Sequence, residues 1–211
     1  MAESFTDQPI LTERFERGLR FALDHHRRQL RKGTDVPYFA HLMAVASLVL
    51  EMGAGEDEAV AALLHDVVED GGGPPALERI RTEFGEDVAR IVAANSDSDS
   101  DVKPPWRERK EAYVTSIAHK RPDELRVSLA DKLHNARSIL TDHRQLGDAL
   151  WARFKAGEGE SVRWYYRSLA QAFRARADDL GPGAAGALAE LELIIAELDR
   201  RENEGTVPGF S

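Results

Sequence analysis

The chain contains no cysteine. That absence excludes disulfides, thiolate zinc sites and cysteine nucleophiles, so any bound metal must be held by His, Asp, Glu or main-chain oxygen. A reducing cytoplasm suits such a chain, and a cytoplasmic location is expected. No apolar run approaches the ~20 residues of a membrane span. The opening MAESFTDQPILTERFERG places acidic and polar residues ahead of any apolar stretch, so neither a membrane segment nor a secretory leader is expected. Positive charge is in deficit: 28 Lys and Arg stand against 37 Asp and Glu, a net charge of -9. Such a surface repels nucleic-acid backbones and argues against a polymeric nucleic-acid partner, while leaving room for a small phosphorylated ligand in a local basic pocket. Strand-like alternation is almost absent, and there is no internal repeat.

What the sequence does have is helical periodicity. Its 211 residues, 42% hydrophobic and 31% charged, suit one globular domain with a sizeable core. All nine prolines fall between periodic segments, where they start or stop helices without kinking them. The pattern predicts helices near 11–31, 39–53, 57–70, 75–84, 86–95, 106–120, 122–140, 143–154, 161–178 and 184–201, with ends uncertain by ~2–4 residues. Leu42, Val45, Ala46, Val49 and Met52 recur at helical spacing, as do Leu125, Leu129, Leu133 and Ile139, so each segment offers an apolar stripe to a shared core. The expectation is an all-α fold of about ten helices over residues 1–201, with a flexible tail at 202–211.

The stretch AALLHDVVED, Ala61 to Asp70, breaks the apolar pattern. On a regular helix His65 would lie above Glu69 and Asp66 above Asp70. Four polar groups would then crowd a helix end closed by GGGPP. A lone Glu-Asp pair there reads as a solvated terminus, but a His-Asp pair directly after AALL has no polar transition before it. Two further intrusions stand at apolar positions: His41 in PYFAHLMAVASLVL and Asp131 in LRVSLADKLHNARSIL. Each alone has a bland explanation as a hydrogen-bonded core residue. Together the two imidazoles and two carboxylates make a nitrogen and oxygen donor set suited to Mn, Fe, Zn or Mg.

These elements resemble the HD-domain metal-dependent phosphohydrolases. More narrowly, RKGTDVPYFAH, AALLHDVVED, FGEDVARIV and SLADKLHNARSIL resemble the hydrolase domain of the RelA/SpoT family, from about Arg20 to Leu140. The chain has no room for that family's synthetase and regulatory domains, so it is similar to the stand-alone small alarmone hydrolases. The resemblance implies His41, His65, Asp66 and Asp131 as metal ligands, usually for manganese. It implies Glu69 and Asp70 as the acidic pair that orients and deprotonates the attacking water, and Asn135 as a neighbour of the ribose and phosphates. Arg31 and Lys32 match a basic pair that approaches the phosphates, and Tyr165, beside Tyr166, looks like a nucleotide-contacting tyrosine. The implied reaction removes the 3′-diphosphate of (p)ppGpp, giving GDP or GTP and pyrophosphate by attack of metal-activated water. Alternatives are another phosphate ester, such as the 2′-phosphate of NADPH, or a non-catalytic alarmone sensor, against which the intact Glu69-Asp70 pair argues.

The sequence also departs from the family pattern. Leu42 replaces a proline that commonly follows the first histidine, one residue is added between Lys32 and His41, and Ser128 stands where a lysine often precedes the LAD element. Arg107, Arg109 and Lys110 read equally as phosphate contacts or an exposed basic helix face, and His134 reads as packing. Two motifs are rejected. Asp97, Asp99, Asp101 and Glu108 imitate a calcium loop, but Val102 replaces the turn glycine and Pro104-Pro105 oppose the path. Gly181, Gly183 and Gly186 spell G-x-G-x-x-G with no strand ahead of it, and read as a helix-to-helix turn.

Overall fold

The computed structural model describes residues 6–96, 104–154 and 159–205. Contacts divide the chain into two compact units, Met1–Asp99 and Ser100–Ser211. The described residues are helical, with one isolated antiparallel bridge, Leu30 to Pro37, and no extended strand. The expected all-α class is what is observed.

The first unit holds α1 (Glu13–His25), α2 (Phe39–Glu51), α3 (Glu56–Leu64), α4 (Gly73–Phe84) and α5 (Glu86–Asn95). Its centre is α3, where every residue from Ala59 to Leu64 is completely buried. A helix apolar all round must be covered on all sides, and α1, α2 and α5 pack against it. Leu42, Val45, Ala46, Val49 and Met52 form the buried stripe of α2 that the spacing predicts.

The second unit holds α6 (Trp106–Ser116), α7 (Pro122–Leu146), α8 (Gly159–Arg174), α9 (Ala177–Leu180) and α10 (Ala185–Gly205). Pro122 opens α7, where its missing N–H costs nothing, and the Glu124 carboxylate accepts from the Arg121 N–H at 2.8 Å. Two forked ion pairs join α7 to α10: Arg137 to Glu190 at 2.6 and 2.7 Å, and Arg144 to Glu197 at 2.9 and 2.6 Å. Both pairs have the same separation of 53 residues, so the two helices run parallel and in register through two turns. Arg176 donates to the carbonyls of Ile117, Ala118 and Lys120 at 2.8, 2.6 and 3.0 Å, occupying acceptors that the end of a helix leaves open.

Several predicted boundaries move, each for a tertiary reason. The first helix ends at His25 rather than near residue 31, because Arg31 N–H bonds the Val36 carbonyl at 2.8 Å and Tyr38 N–H bonds the Gln29 carbonyl at 2.9 Å. That pairing folds residues 29–38 into a hairpin and uses groups a continued helix would need. The helix expected over 57–70 is regular to Leu64, keeps helical angles at His65 and Val67, and is broken at Asp70 and Gly71, whose angles are not helical. The helices expected at 122–140 and 143–154 are instead one α-helix to Leu146, ended by Gly147 and followed by 3-10 turns over Gly147–Arg153. No proline or glycine separates residues 140 and 146, and the Arg144 fork ties that last turn to α10. At the C-terminal end α10 runs to Gly205, through the first positions of the expected tail. The acidic run at 97, 99 and 101 lies outside the described residues, whereas GPGAAG is the helix-to-helix turn between α9 and α10.

Candidate metal and phosphate site

The residues that end α3 are placed by a change in helical winding. Val67 N–H reaches back to the Leu64 carbonyl, Asp70 N–H bonds the Asp66 carbonyl at 2.9 Å, and Gly72 N–H bonds the Val67 carbonyl at 3.0 Å, closing a helix-ending turn over Gly71, whose φ is positive. Asp70 therefore keeps its one-turn relation to Asp66, while the chain as a whole departs from the regular helix. Glycine is required here. Gly71 has φ +103, and a Cβ on Gly72 would lie 2.5 Å from the Val67 carbonyl oxygen. The GGG that read as a stop signal thus shapes the turn that carries Glu69 and Asp70.

Three of the expected ligands converge. One donor atom from each of His41, on α2, and His65 and Asp66, after α3, lies within 4.8 Å of the other two. Both imidazoles are 1% exposed and the carboxylate is half-buried, so the donors sit at the end of the core and still face an opening. His65 Nδ1 donates to the Ala62 carbonyl at 2.8 Å, and a carbonyl can only accept. The Nε2 of neutral His65 is thereby left with its lone pair, 3.0 Å from Asp66 Oδ2. His41 Nε2 lies 3.7 Å from the same oxygen. The His65 lone pair, the His41 imidazole and the Asp66 carboxylate, gathered at one point, fit a divalent cation. The donor set is thus of the nitrogen and oxygen kind that the sequence leads one to expect.

Tyr38, which the sequence reading passed over, braces this cluster. Its hydroxyl donates to Asp66 Oδ2, and its ring meets that of His41 edge-on at 5.5 Å. The signal was present: Tyr38 stands one helical turn before His41 in PYFAH. Gln29 is a second such residue, donating to Asp70 Oδ2 at 2.7 Å. The hairpin is thus fastened at both its ends to the segment that carries Asp66 and Asp70, by Gln29 to Asp70 and by Tyr38 to Asp66. Arg31, half-buried, and Lys32, exposed, lie on the loop between those anchors. Glu69 is half-buried and Asp70 exposed. A separate groove of about 720 Å³ between α1 and α4, bordered by Arg17, Arg20, Phe21 and Arg79, contains none of the expected site residues.

The remaining expected residues belong to the second unit. Asp131 is buried on α7, accepting from Lys132 Nζ and from Asn135 Nδ2, each at 2.6 Å. Asn135 lies one turn after Asp131, as the spacing predicts. Lys132 was missed by sequence reading. Its ammonium lies 4.4 Å from the centre of the Tyr113 ring, whose hydroxyl meets Ser128 Oγ at 2.6 Å. Tyr165 is buried on α8, with Trp106 edge-on at 6.1 Å and Lys110 over its ring at 5.1 Å. Tyr166 is buried as well. Arg107 stacks on Trp164 at 3.2 Å, so the basic face of α6 is partly spent on aromatic contacts.

Comparison with known proteins gives a consistent picture. The chain is 38% identical over 122 residues to the Xenopus tropicalis guanosine-3′,5′-bis(diphosphate) 3′-pyrophosphohydrolase MESH1, covering 56% of this chain and 65% of that protein. It is 38% identical over 126 residues to the guanosine-3′,5′-bis(diphosphate) 3′-pyrophosphohydrolase of Haemophilus influenzae, covering 56% of this chain and 17% of that one. The chain therefore spans less than two thirds of the length of these relatives. A solved metazoan ortholog of SpoT, described as hydrolysing ppGpp, superposes with a TM-score of 0.64 at 27% identity over 93% of this chain and 98% of the other. No described helix is long and apolar enough to cross a membrane. The HD domain profile matches residues 18–158, more than half of the chain, and the protein belongs to the HD-domain family.

Proposed function

We propose that this protein is a metal-dependent hydrolase that removes the 3′-diphosphate of (p)ppGpp, releasing pyrophosphate and GDP or GTP. The observation that carries this reading is the convergence of His41, His65 and Asp66 within 4.8 Å, with Glu69 and Asp70 on the very next turn. The names of relatives at 38% identity point to the same substrate. His41, His65 and Asp66 would hold the ion, with Asp131 as a further ligand on the family resemblance alone. The same resemblance favours manganese. When bound, such an ion supplies Lewis acidity, lowering the pKa of water and neutralising charge on phosphoryl oxygens.

The chain's own groups divide the remaining work. Glu69, half-buried beside the cluster, accepts the proton of the attacking water. Asp70, held by Gln29, orients that water through a lone pair. Arg31 offers a planar fork and Lys32 a point charge to the phosphates, offsetting the carboxylates that would otherwise repel them. Asn135 is assigned to the ribose and Tyr165 to the base on the resemblance.

The test is product analysis of the manganese-loaded full chain with ppGpp and NADPH in parallel. Pyrophosphate and GDP from ppGpp are expected. Orthophosphate from NADPH with ppGpp untouched would replace this reading with a 2′-phosphatase, and tight ppGpp binding without turnover would replace it with a sensor.

A further inference from the structure

Asp70 is exposed at the kink that ends the helical run, where a short carboxylate samples several rotamers unless something holds it. Among the described residues, the side-chain hydrogen bond it receives comes from Gln29 Nε2, 2.7 Å from Oδ2. A carboxylate only accepts, so the amide must present its NH2 to Asp70 and its oxygen the other way. That oxygen, Oε1, lies 2.5 Å from His26 Nδ1. An amide oxygen also only accepts, so Nδ1 carries the proton. The orientation of one group thus fixes the next along the series His26, Gln29, Asp70.

His26 is itself held. It is 2% exposed, with Tyr38 tilted against it at 5.2 Å and His25 edge-on at 4.6 Å. Its Nε2 is buried with no hydrogen-bond partner among the described residues. A bare lone pair there costs less than a buried unpartnered N–H would, which selects the neutral Nδ1–H tautomer independently of Gln29. Burial accordingly pulls the His26 pKa below its ordinary 6.5; the Gln29 bond, Asp70 and Asp66 act to raise it, and His25 to lower it further.

We propose that His26 and Gln29 are positioning residues: the buried imidazole fixes the amide of Gln29, and that amide fixes the rotamer of Asp70 that faces the attacking water. Neither residue touches the substrate. The inference rests on the hydrolase reading for its role but not for its geometry. It also explains why the hairpin is tied to the site at Gln29 as well as at Tyr38, since the same tie that orders Asp70 places Arg31 and Lys32.

The test is a cycle of Gln29→Met, Asp70→Asn and the double variant in the manganese-loaded full chain, with kcat, KM and thermal midpoint read for each, together with the 15N imidazole spectrum of His26. Gln29→Met should lower kcat about tenfold with KM and midpoint nearly unchanged, and should cost nothing further when Asp70 is already Asn. Gln29→Glu, which keeps the acceptor for His26 but opposes Asp70 with a second carboxylate, should lower kcat and recover part of it as pH falls. The spectrum should show the Nδ1–H tautomer in the wild type and lose that bias in Gln29→Met. A Gln29→Met loss of equal size in both Asp70 backgrounds, or wild-type kcat in Gln29→Met, overturns the proposal. If the wild type leaves ppGpp intact, the proposed function fails; the imidazole spectrum then decides the relay, the Nδ1–H form supporting it and the Nε2–H form overturning it.

Discussion

The hydroxyl of Tyr38 donates to the Asp66 carboxylate across 28 residues of chain. The oxygen it touches is the one that faces both imidazole Nε2 atoms of His41 and His65, so a side chain outside the candidate donor set holds the direction of one of its donors. Tyr38→Phe keeps the ring contact with His41 and removes only that hydrogen bond. Manganese affinity should fall by about 10–100-fold, the range for lost partners of metal ligands, as measured by titration calorimetry. An unchanged affinity would show that packing alone holds Asp66.

Removing a ligand should be more severe than removing its brace. His65→Ala or Asp66→Ala should abolish activity and manganese binding together, and chelation of the wild type should do the same reversibly. A ligand that binds only the folded chain stabilises it by about 2.7 kcal/mol at a hundredfold excess over Kd. Manganese should therefore raise the thermal midpoint of the wild type and leave that of either variant where it was.

Glu69 is half-buried and is not assigned to the ion. Glu69→Gln keeps its shape and removes its basicity. The expected result is a drop in kcat of about 10²–10⁴-fold, the usual contribution of a general base, with manganese affinity within about twofold of wild type. Parallel loss of metal would move Glu69 into the ligand set.

A pH effect on stability is expected from His26. Burial holds its folded pKa below the ordinary 6.5. Between those two values the unfolded chain binds a proton that the folded chain does not, so stability falls as pH drops below 6.5 and is insensitive above it. Urea unfolding across this window should show a shallower acid decline in His26→Gln than in the wild type.

In the second unit, Arg144 and then Arg201 bond Glu197 and hold its carboxyl well below the usual 4.5, at about 2. Here the sign is the reverse in charge but the same in direction: the stabilisation is present above 4.5 and is lost as pH falls through about 2. Glu197→Gln should lower the thermal midpoint at neutral pH, and its difference from wild type should shrink in strong acid. Because the same fork keeps α7 parallel to α10, the loss should appear in the cooperative unfolding of the second unit.

Much of the fold was legible because helices announce themselves locally. The stripes of α2 and α7 are the buried residues their spacing predicts, and Pro74, Pro75, Pro105, Pro122 and Pro182 stand at helix starts. The errors have one origin. Residues 26–31 are good helix formers, and only their pairing with residues 36–38 stops α1 at His25. Residues 141–146 carry no breaker, and the reading divided a helix that the Arg144 fork keeps whole. The regular winding expected through His65, Asp66 and Glu69 holds as far as the Asp70 N–H bond to the Asp66 carbonyl and breaks at Gly71, whose φ is positive.

The sequence alone determined the class of the fold and the donor types available, and the resemblance it carries singled out the candidate ligands, since each of these depends on composition and near-neighbour spacing. The tertiary structure decided which groups stand behind them. Gln29 and His26 sit in a stretch whose periodicity favours a helix, Tyr38 stands just before the next one, and their partners are separated from them by tens of residues or fixed by hydrogen-bond direction. No local pattern encodes such a contact, because its free energy is realised only when the hairpin closes onto the end of α3.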